Sequence, residues 1–134
     1  TLKQRNTIIQ ITKSLLNVYD TEGVFGFEFF LGKNGKIYLN EVSPRVHNTG
    51  HYTIEGTNCS QFELHLRAIM GLPFPDEIRL TNDTCVMMEN IFAPTEMDSG
   101  TMTKLETGLH LYNKAYNNGD ETAHKAGRKI GHRT

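Results

Sequence analysis

Ile8, Ile11, Leu15 and Val18 recur at the spacing of one helix face, and Asn6 precedes them. The pattern predicts an amphipathic helix over residues 7–19 with Asn6 as its N-cap. The polar stretch at 20–23 breaks it. The run VFGFEFFL (24–31) is then rich in β-branched and aromatic residues, and KIYLNEV (36–42) repeats that character after an intervening Asn34-Gly35 pair. Asn-Gly between two such runs is the strongest short-range hairpin signal, so these segments are expected to form an antiparallel pair around a two-residue turn. Residues 43–58 (SPRVHNTGHYTIEGTN) lack apolar periodicity and are expected to form a loop with a short extended piece embedded in it. Loops of this length inside compact domains tend to carry function. Ser60 and Glu63 have capping-box spacing, Phe62, Leu66 and Ile69 share a face, and Gly71 with Pro73 ends the pattern. A helix over 61–70 follows.

Beyond Pro75 the character turns β-rich. CVMMENIF (85–92), GLHLYNKAY (108–116) and GRKIGHRT (127–134) each read as strands, and the prolines and charges of 73–76 mark a boundary before them. The 134 residues suffice for one domain or parts of two but are few for a complete nucleotide-using enzyme. The chain opens on Thr1 and stops after a basic, glycine-containing cluster, so both ends are read as interior to a longer protein. No run approaches the roughly 20 apolar residues of a membrane span, and no signal peptide opens the chain. A formal net charge of -1 recruits neither nucleic acid nor an anionic membrane, and a cytoplasmic location is expected. Cys59 and Cys85 have no metal-type spacing and are read as buried, reduced thiols without a role.

The candidate chemistry lies on the hairpin. With Asn34-Gly35 as a two-residue turn, Lys33 faces Lys36, Leu31 faces Tyr38 and, by the same count, Glu28 faces Glu41 on one side of the ladder. Directly opposed residues have Cβ atoms about 4.5–5.5 Å apart, where like charges destabilise. Two carboxylates among Phe27, Phe29, Phe30, Leu39 and Val42 either share a proton or bind a hard cation, and magnesium suits a site with few protein carboxylates. A one-residue slip of register, or separate pairing of each acid with Lys33, Lys36 or Arg45, is the alternative.

The stretch GVFGFEFFLGKNGKIYLNEVSPRVHNTGHYTIE, with SQFELHLRAIMGLP and the later HLYNK and GRKIGH, resembles the 5-(carboxyamino)imidazole ribonucleotide synthases, ATP-grasp ligases of purine biosynthesis. The resemblance covers nearly the whole chain. It implies an α+β fold, with the second half of an ATP-grasp domain over 1–73 followed by a small, truncated β-rich C-terminal domain over 74–134. It also implies ATP-dependent carboxylation of 5-aminoimidazole ribonucleotide by bicarbonate through a carboxyphosphate, with ATP and Mg2+ as cofactors and a homodimeric full-length enzyme. The family's first domain, glycine-rich lid loop and phosphate-binding lysine have no counterpart here, so this chain alone is expected not to turn over.

Carried over residue by residue, the resemblance makes Glu28 and Glu41 metal ligands and Asn40 and Glu41 nucleotide-binding. Arg45, His47 and Asn48 become catalytic candidates, Arg45 as a bidentate grip on developing charge. Pairing of Arg45 with Glu41 and simple exposure of the loop histidines are the alternatives. His51, Lys114, Arg128 and Lys129 are substrate-binding candidates, with a solvated turn as the alternative for the basic run. The chain departs from the family pattern in its AYNNGDETAHKA stretch (115–126), which makes the phosphate-binding alignment there less secure and leaves Lys125 as a substitute. It also has Ser43 where many ATP-grasp enzymes have a metal-binding asparagine, so two protein ligands are expected. Two other functions stay open: formate-dependent glycinamide ribonucleotide transformylase, which shares the EVSPR-x-H motif, and a non-catalytic binding module of the same origin.

Overall fold

A computed structural model describes residues 1–81, 85–93, 108–112 and 127–134. They pack as two compact units: Thr1–Gly50 with Cys59–Ile78, and His51–Asn58 with Arg79–Thr134.

The first unit opens with helix α1, Leu2–Tyr19, one and a half turns earlier than the apolar spacing predicts. Its cap is Thr1, not Asn6. The Thr1 hydroxyl accepts from the Gln4 amide, and the Gln4 side chain returns a contact to the Thr1 backbone nitrogen. That reciprocal capping box satisfies amides which a start at residue 7 would leave to the Asn6 side chain. Ile8, Ile11 and Leu15 are half-buried, whereas Val18 is 78% exposed and falls off the packed stripe. Asp20 ends the helix in the left-handed region, at φ 39°.

Strands β1 (Gly26–Leu31) and β2 (Ile37–Ser43) form the antiparallel hairpin. Its turn is not the expected one. The Gly35 amide donates to Gly32 O and the Gly32 amide to Lys36 O, so Lys33, Asn34 and Gly35 make a three-residue loop, with Gly35 at φ 76°. Leu31 therefore pairs with Ile37 and Phe30 with Tyr38, one residue away from the two-residue-turn register. Between Phe29 and Glu28 the ladder is interrupted by a bulge: Phe29 pairs with Leu39, Glu28 with Glu41, and Asn40 is the extra residue. The bulge cancels the displacement introduced at the turn.

Residues 48–56 hold two short helical turns in place of the expected extended piece, a 3-10 turn at Asn48–Gly50 and α2 at Thr53–Gly56, the latter in the second unit. Helix α3, Gln61–Ile69, begins at Ser60, whose hydroxyl accepts from the Glu63 amide. It ends in a Schellman motif, with Gly71 at φ 63° and its amide bonded to Ala68 O, and the Leu72 amide bonded to Arg67 O. Cys59 is buried, and Cys85, in the second unit, is exposed, contrary to the expectation for it.

The second unit carries an antiparallel sheet of β3 (Glu89–Phe92), β4 (Leu109–Leu111) and β5 (Lys129–Arg133), with β5 in the centre. These strands are shorter than the sequence runs that contain them. Ala93 and Ile130 bury against each other with Ile91 packed on them.

Candidate active site

The paired acids lie in the first unit. In an antiparallel ladder directly opposed side chains share a face, so Glu28 and Glu41 project to the same side. Their side chains keep 36% and 51% of their surface, enough for a ligand to reach both. Each carboxylate has a neutral hydrogen-bond donor. Asn40 Nδ2 donates to Glu28 Oε2 at 3.1 Å, and Ser43 Oγ donates to Glu41 Oε1 at 2.5 Å. The bulge at Asn40 thus does local chemistry as well as restoring register: it turns an extra amide toward the acid opposite.

His47 faces the same pair. Its Nε2 stands 3.6 Å from Glu28 Oε1 and 3.9 Å from Glu41 Oε1, and its side chain is only 12% exposed. The Thr49 backbone amide approaches His47 Nδ1 at 3.4 Å, and the Thr49 hydroxyl lies 2.9 Å from the same nitrogen. Since a backbone N–H can only donate, the Thr49 amide assigns Nδ1 as an acceptor, and the Nε2 edge of the ring faces the two carboxylates at separations longer than a hydrogen bond. Below the ring lies Gly26, where a Cβ would come 2.6 Å from His47 Cβ. Only a glycine lets the strand run that close.

Other predicted site residues are less clustered. Arg45 is exposed, and its guanidinium donates to the neighbouring Val46 carbonyl at 2.9 Å. It is not among the ion pairs of the described residues, so the alternative in which it neutralises Glu41 is not what the fold adopts. Asn48 starts the 3-10 turn that follows His47. Lys114, Lys125 and the 115–126 stretch lie outside the described residues.

In the second unit Arg128 and Lys129 are exposed at the edge of β5, where the Arg128 carbonyl accepts from the Ala93 amide and Lys129 pairs with Phe92. His51 packs there against two aromatic partners, 6.0 Å from the Tyr112 ring and 4.9 Å from the His132 ring. His132 is 1% exposed, stacks on His110 at 4.7 Å, and takes a hydrogen bond between its Nδ1 and the Tyr112 hydroxyl at 3.1 Å. Burial, together with the neighbouring His110 charge, holds His132 below its ordinary pKa, against the opposing pull of Glu55. Burial raises the Glu55 carboxyl, but the hydrogen bond and charge of His110 lead the effects that outweigh it and leave Glu55 below its ordinary value. Sequence reasoning missed this cluster because its members are separated by 55 and 20 positions in the chain.

Two half-exposed carboxylates on one face, each oriented by a neutral donor, fit a hard cation that takes one or two protein carboxylates and completes its shell with water and phosphate oxygens. Among the described residues no group of three or more His, Cys, Asp and Glu has metal-holding geometry, so a purely protein-built cage is not offered. Residues 1–62 match the model of the ATP-grasp domain.

This segment of the chain belongs to the ATP-grasp family.

Similarity extends past the ATP-grasp segment. The chain is 41% identical over 122 residues to the N5-carboxyaminoimidazole ribonucleotide synthase of Brucella melitensis, an alignment that takes in 91% of this chain and 31% of that protein. Among solved structures it resembles a carboxyaminoimidazole ribonucleotide synthase of Aspergillus clavatus complexed with ATP. The TM-score there is 0.71 at 32% identity, over 98% of this chain and 34% of the other. An Aspergillus clavatus N5-carboxyaminoimidazole synthase in complex with ADP and 5-aminoimidazole ribonucleotide aligns with a TM-score of 0.56 at 37% identity, over 82% of this chain and 29% of the other. The chain spans about a third of the length of these relatives. The α+β ATP-grasp fold expected from the sequence is the fold these comparisons support.

Proposed function

We propose that the protein containing this chain carboxylates 5-aminoimidazole ribonucleotide with bicarbonate at the expense of ATP, giving 5-(carboxyamino)imidazole ribonucleotide, ADP and phosphate. The observation that carries the reading is the Glu28–Glu41 pair on one face of the hairpin, with Asn40 and His47 on its rim, in a chain similar to synthases of that name. In this reading residues 1–73 belong to the ATP-grasp domain and 74–134 to a β-rich domain, with the segment His51–Asn58 packed into the second unit. The enzyme is taken to be a cytoplasmic homodimer, on the resemblance alone.

Glu28 and Glu41 would hold Mg2+, and Asn40 with Glu41 would contact the nucleotide. When bound, the ion supplies positive charge against the phosphate oxygens. The protein's own part is positioning and charge placement, which dominate phosphoryl transfer. The Asn40 amide fixes the rotamer of Glu28, and Ser43 fixes that of Glu41, so that the carboxylates are oriented before any ligand arrives. The His47 Nε2 edge faces the same acids, where an Nε2–H can donate to bicarbonate or to a transferring phosphoryl group, and Asn48 follows it in the chain. Arg45 is exposed and, among the described residues, bonds to the Val46 carbonyl, so the rest of its fork is open to an anionic group. His51, Lys114, Arg128 and Lys129 remain candidates for the ribonucleotide, the last three for its phosphate.

The test is phosphate release from ATP by the intact protein. Release that requires both 5-aminoimidazole ribonucleotide and bicarbonate is the expected outcome. Release that requires formate and glycinamide ribonucleotide would reassign the enzyme, and absence of either activity would point to a binding module.

A further inference from the structure

Gln61 is buried, 6% exposed, at the first position of α3, and no chemistry proposed above uses it. Its side-chain amide makes two hydrogen bonds to one residue 14 positions earlier. Gln61 Oε1 accepts from the His47 backbone amide at 2.9 Å, and Gln61 Nε2 donates to the His47 carbonyl at 2.8 Å. This is the pairing one strand residue offers another, delivered here by a side chain. It ties the backbone of the loop after β2 to the start of a helix, at the residue whose ring faces the acid pair.

Two glycines give the arrangement its clearance. A Cβ at Gly50 would sit 2.5 Å from Gln61 Oε1, and one at Gly26 would sit 2.6 Å from His47 Cβ. The His47 peptide is thus held from α3, its ring rests on β1, and the turn at Asn48–Gly50 leaves room for the amide that holds it. With its backbone amide and carbonyl both bonded to a buried side chain of α3, and the carbonyl also accepting from the Gly50 amide at 3.0 Å, the direction of the His47 Cα–Cβ bond is set by α3 together with the 3-10 turn.

We infer that Gln61 is a positioning residue which, by pairing with the His47 peptide, fixes the imidazole over Glu28 and Glu41. The inference rests on the proposed carboxylation only for its activity readout. Its geometric part, that Gln61 sets the place of the His47 ring, stands independently.

The test compares two neighbouring substitutions in the intact protein. Gln61→Met keeps length and loses both hydrogen bonds. Ser60→Ala removes the cap of the same helix and leaves the Gln61–His47 pairing alone. In Gln61→Met, ATP-dependent turnover at saturating substrate is expected to fall about 10- to 100-fold, the scale of an ångström-sized misplacement, with KM for ATP changed by less than about twofold. The His47 ring signal in proton–carbon spectra of histidine-labelled protein, assigned by its loss in His47→Asn, is expected to shift. In Ser60→Ala the thermal midpoint is expected to drop, while turnover and the His47 signal stay at their wild-type values. Loss of turnover in both variants in proportion to lost stability, or a His47 signal that Gln61→Met does not move, would overturn the inference. A wild-type protein without carboxylation activity would remove the functional reading alone, and the His47 signal would still decide the geometric one.

Discussion

In the hairpin unit His47 faces two carboxylates that keep 36% and 51% of their side-chain surface, whereas in the three-stranded unit His132 is 1% exposed, stacked on His110 and bonded to Tyr112. Both units set imidazole near glutamate. In the first, the acids have one neutral donor each and retain lone pairs for a ligand. In the second, Glu55 is engaged by His110 with about a third of each side chain exposed, and the ring shut into the fold is His132, whose Nδ1 meets the Tyr112 hydroxyl while its Nε2 has no hydrogen-bond partner among the described residues. The difference between the units therefore lies in the imidazole and its acids: two facing carboxylates under one ring, as the proposed metal site requires, against a single acid paired with His110 beside a ring buried by packing.

The comparison predicts that the same kind of substitution damages activity in one unit and folding in the other. The largest effect is expected at the acid pair. Glu28→Ala and Glu41→Ala should each lower ATP-dependent turnover by about 10²–10³-fold, the range seen when one electrostatic contact to a transferring group is lost. Circular dichroism should show the fold retained. Turnover that survives both changes would remove the distinction between the units.

Next in size is His132→Ala, which empties a fully buried ring position and should destabilise the protein by about 2–5 kcal/mol, read from denaturant unfolding. A loss below 0.5 kcal/mol, on the scale of surface changes, would mean that the histidine stack is not a structural element.

Gly26→Ala sharpens the contrast from the other side. Its Cβ meets the His47 Cβ, so either the strand or the loop must yield, at a cost of about 1–3 kcal/mol. Turnover should fall more than stability does, because the loop carries His47. Equal losses would show that the overlap is relieved without moving the ring.

His132 gives the second unit a pH-dependent contribution to unfolding. His132 is held below its ordinary value of 6.5, so the unfolded chain takes up the proton first as pH falls. The contribution is then complete above 6.5 and is lost as pH drops below it, by at most about 1.4 kcal/mol per pH unit. Glu55, also depressed, adds loss in the same direction as pH falls below 4.5. Thermal midpoints measured from pH 7.5 to 5.5 should decline, and His132→Gln should flatten that slope. A midpoint that rises on acidification would contradict the assignment.

The smallest change is expected from Glu41→Gln on stability. Removing the charge relieves repulsion worth about 0.2–1 kcal/mol across the ladder but weakens the bond from Ser43, worth about 0.5–1.5 kcal/mol, so the two nearly cancel.

How these regions were legible in the sequence follows the same division. The hairpin and α3 announce themselves through local signals: Asn34-Gly35, the aromatic run before it, and Ser60 with Glu63. The facing of Glu28 and Glu41 was reached by counting from a two-residue turn, and the turn is not of that kind. A three-residue loop displaces the register by one and the Asn40 bulge restores it. No residue pattern separates that pair of compensating irregularities from a regular ladder, since a bulge depends on what the strand packs against. Helix α1 starts before its apolar stripe, which begins at Ile8, because the Thr1–Gln4 capping box that sets its N-terminus lies outside the stripe. The role of Gln61 is not legible in sequence, because the Ser60 cap accounts for its place in α3 and its partner lies in a loop with no periodicity to read. The stack of His51, His110 and His132 depends on strand pairing between β4 and β5, which single residues do not encode.

The most direct measurement is a Mn2+ titration of the intact protein with ADP present, followed by water-proton relaxation, in wild type and Glu41→Gln. The account predicts that the substitution weakens cation binding by about 10-fold or more. Equal affinity in the two proteins would mean that the facing carboxylates of the hairpin do not hold the metal.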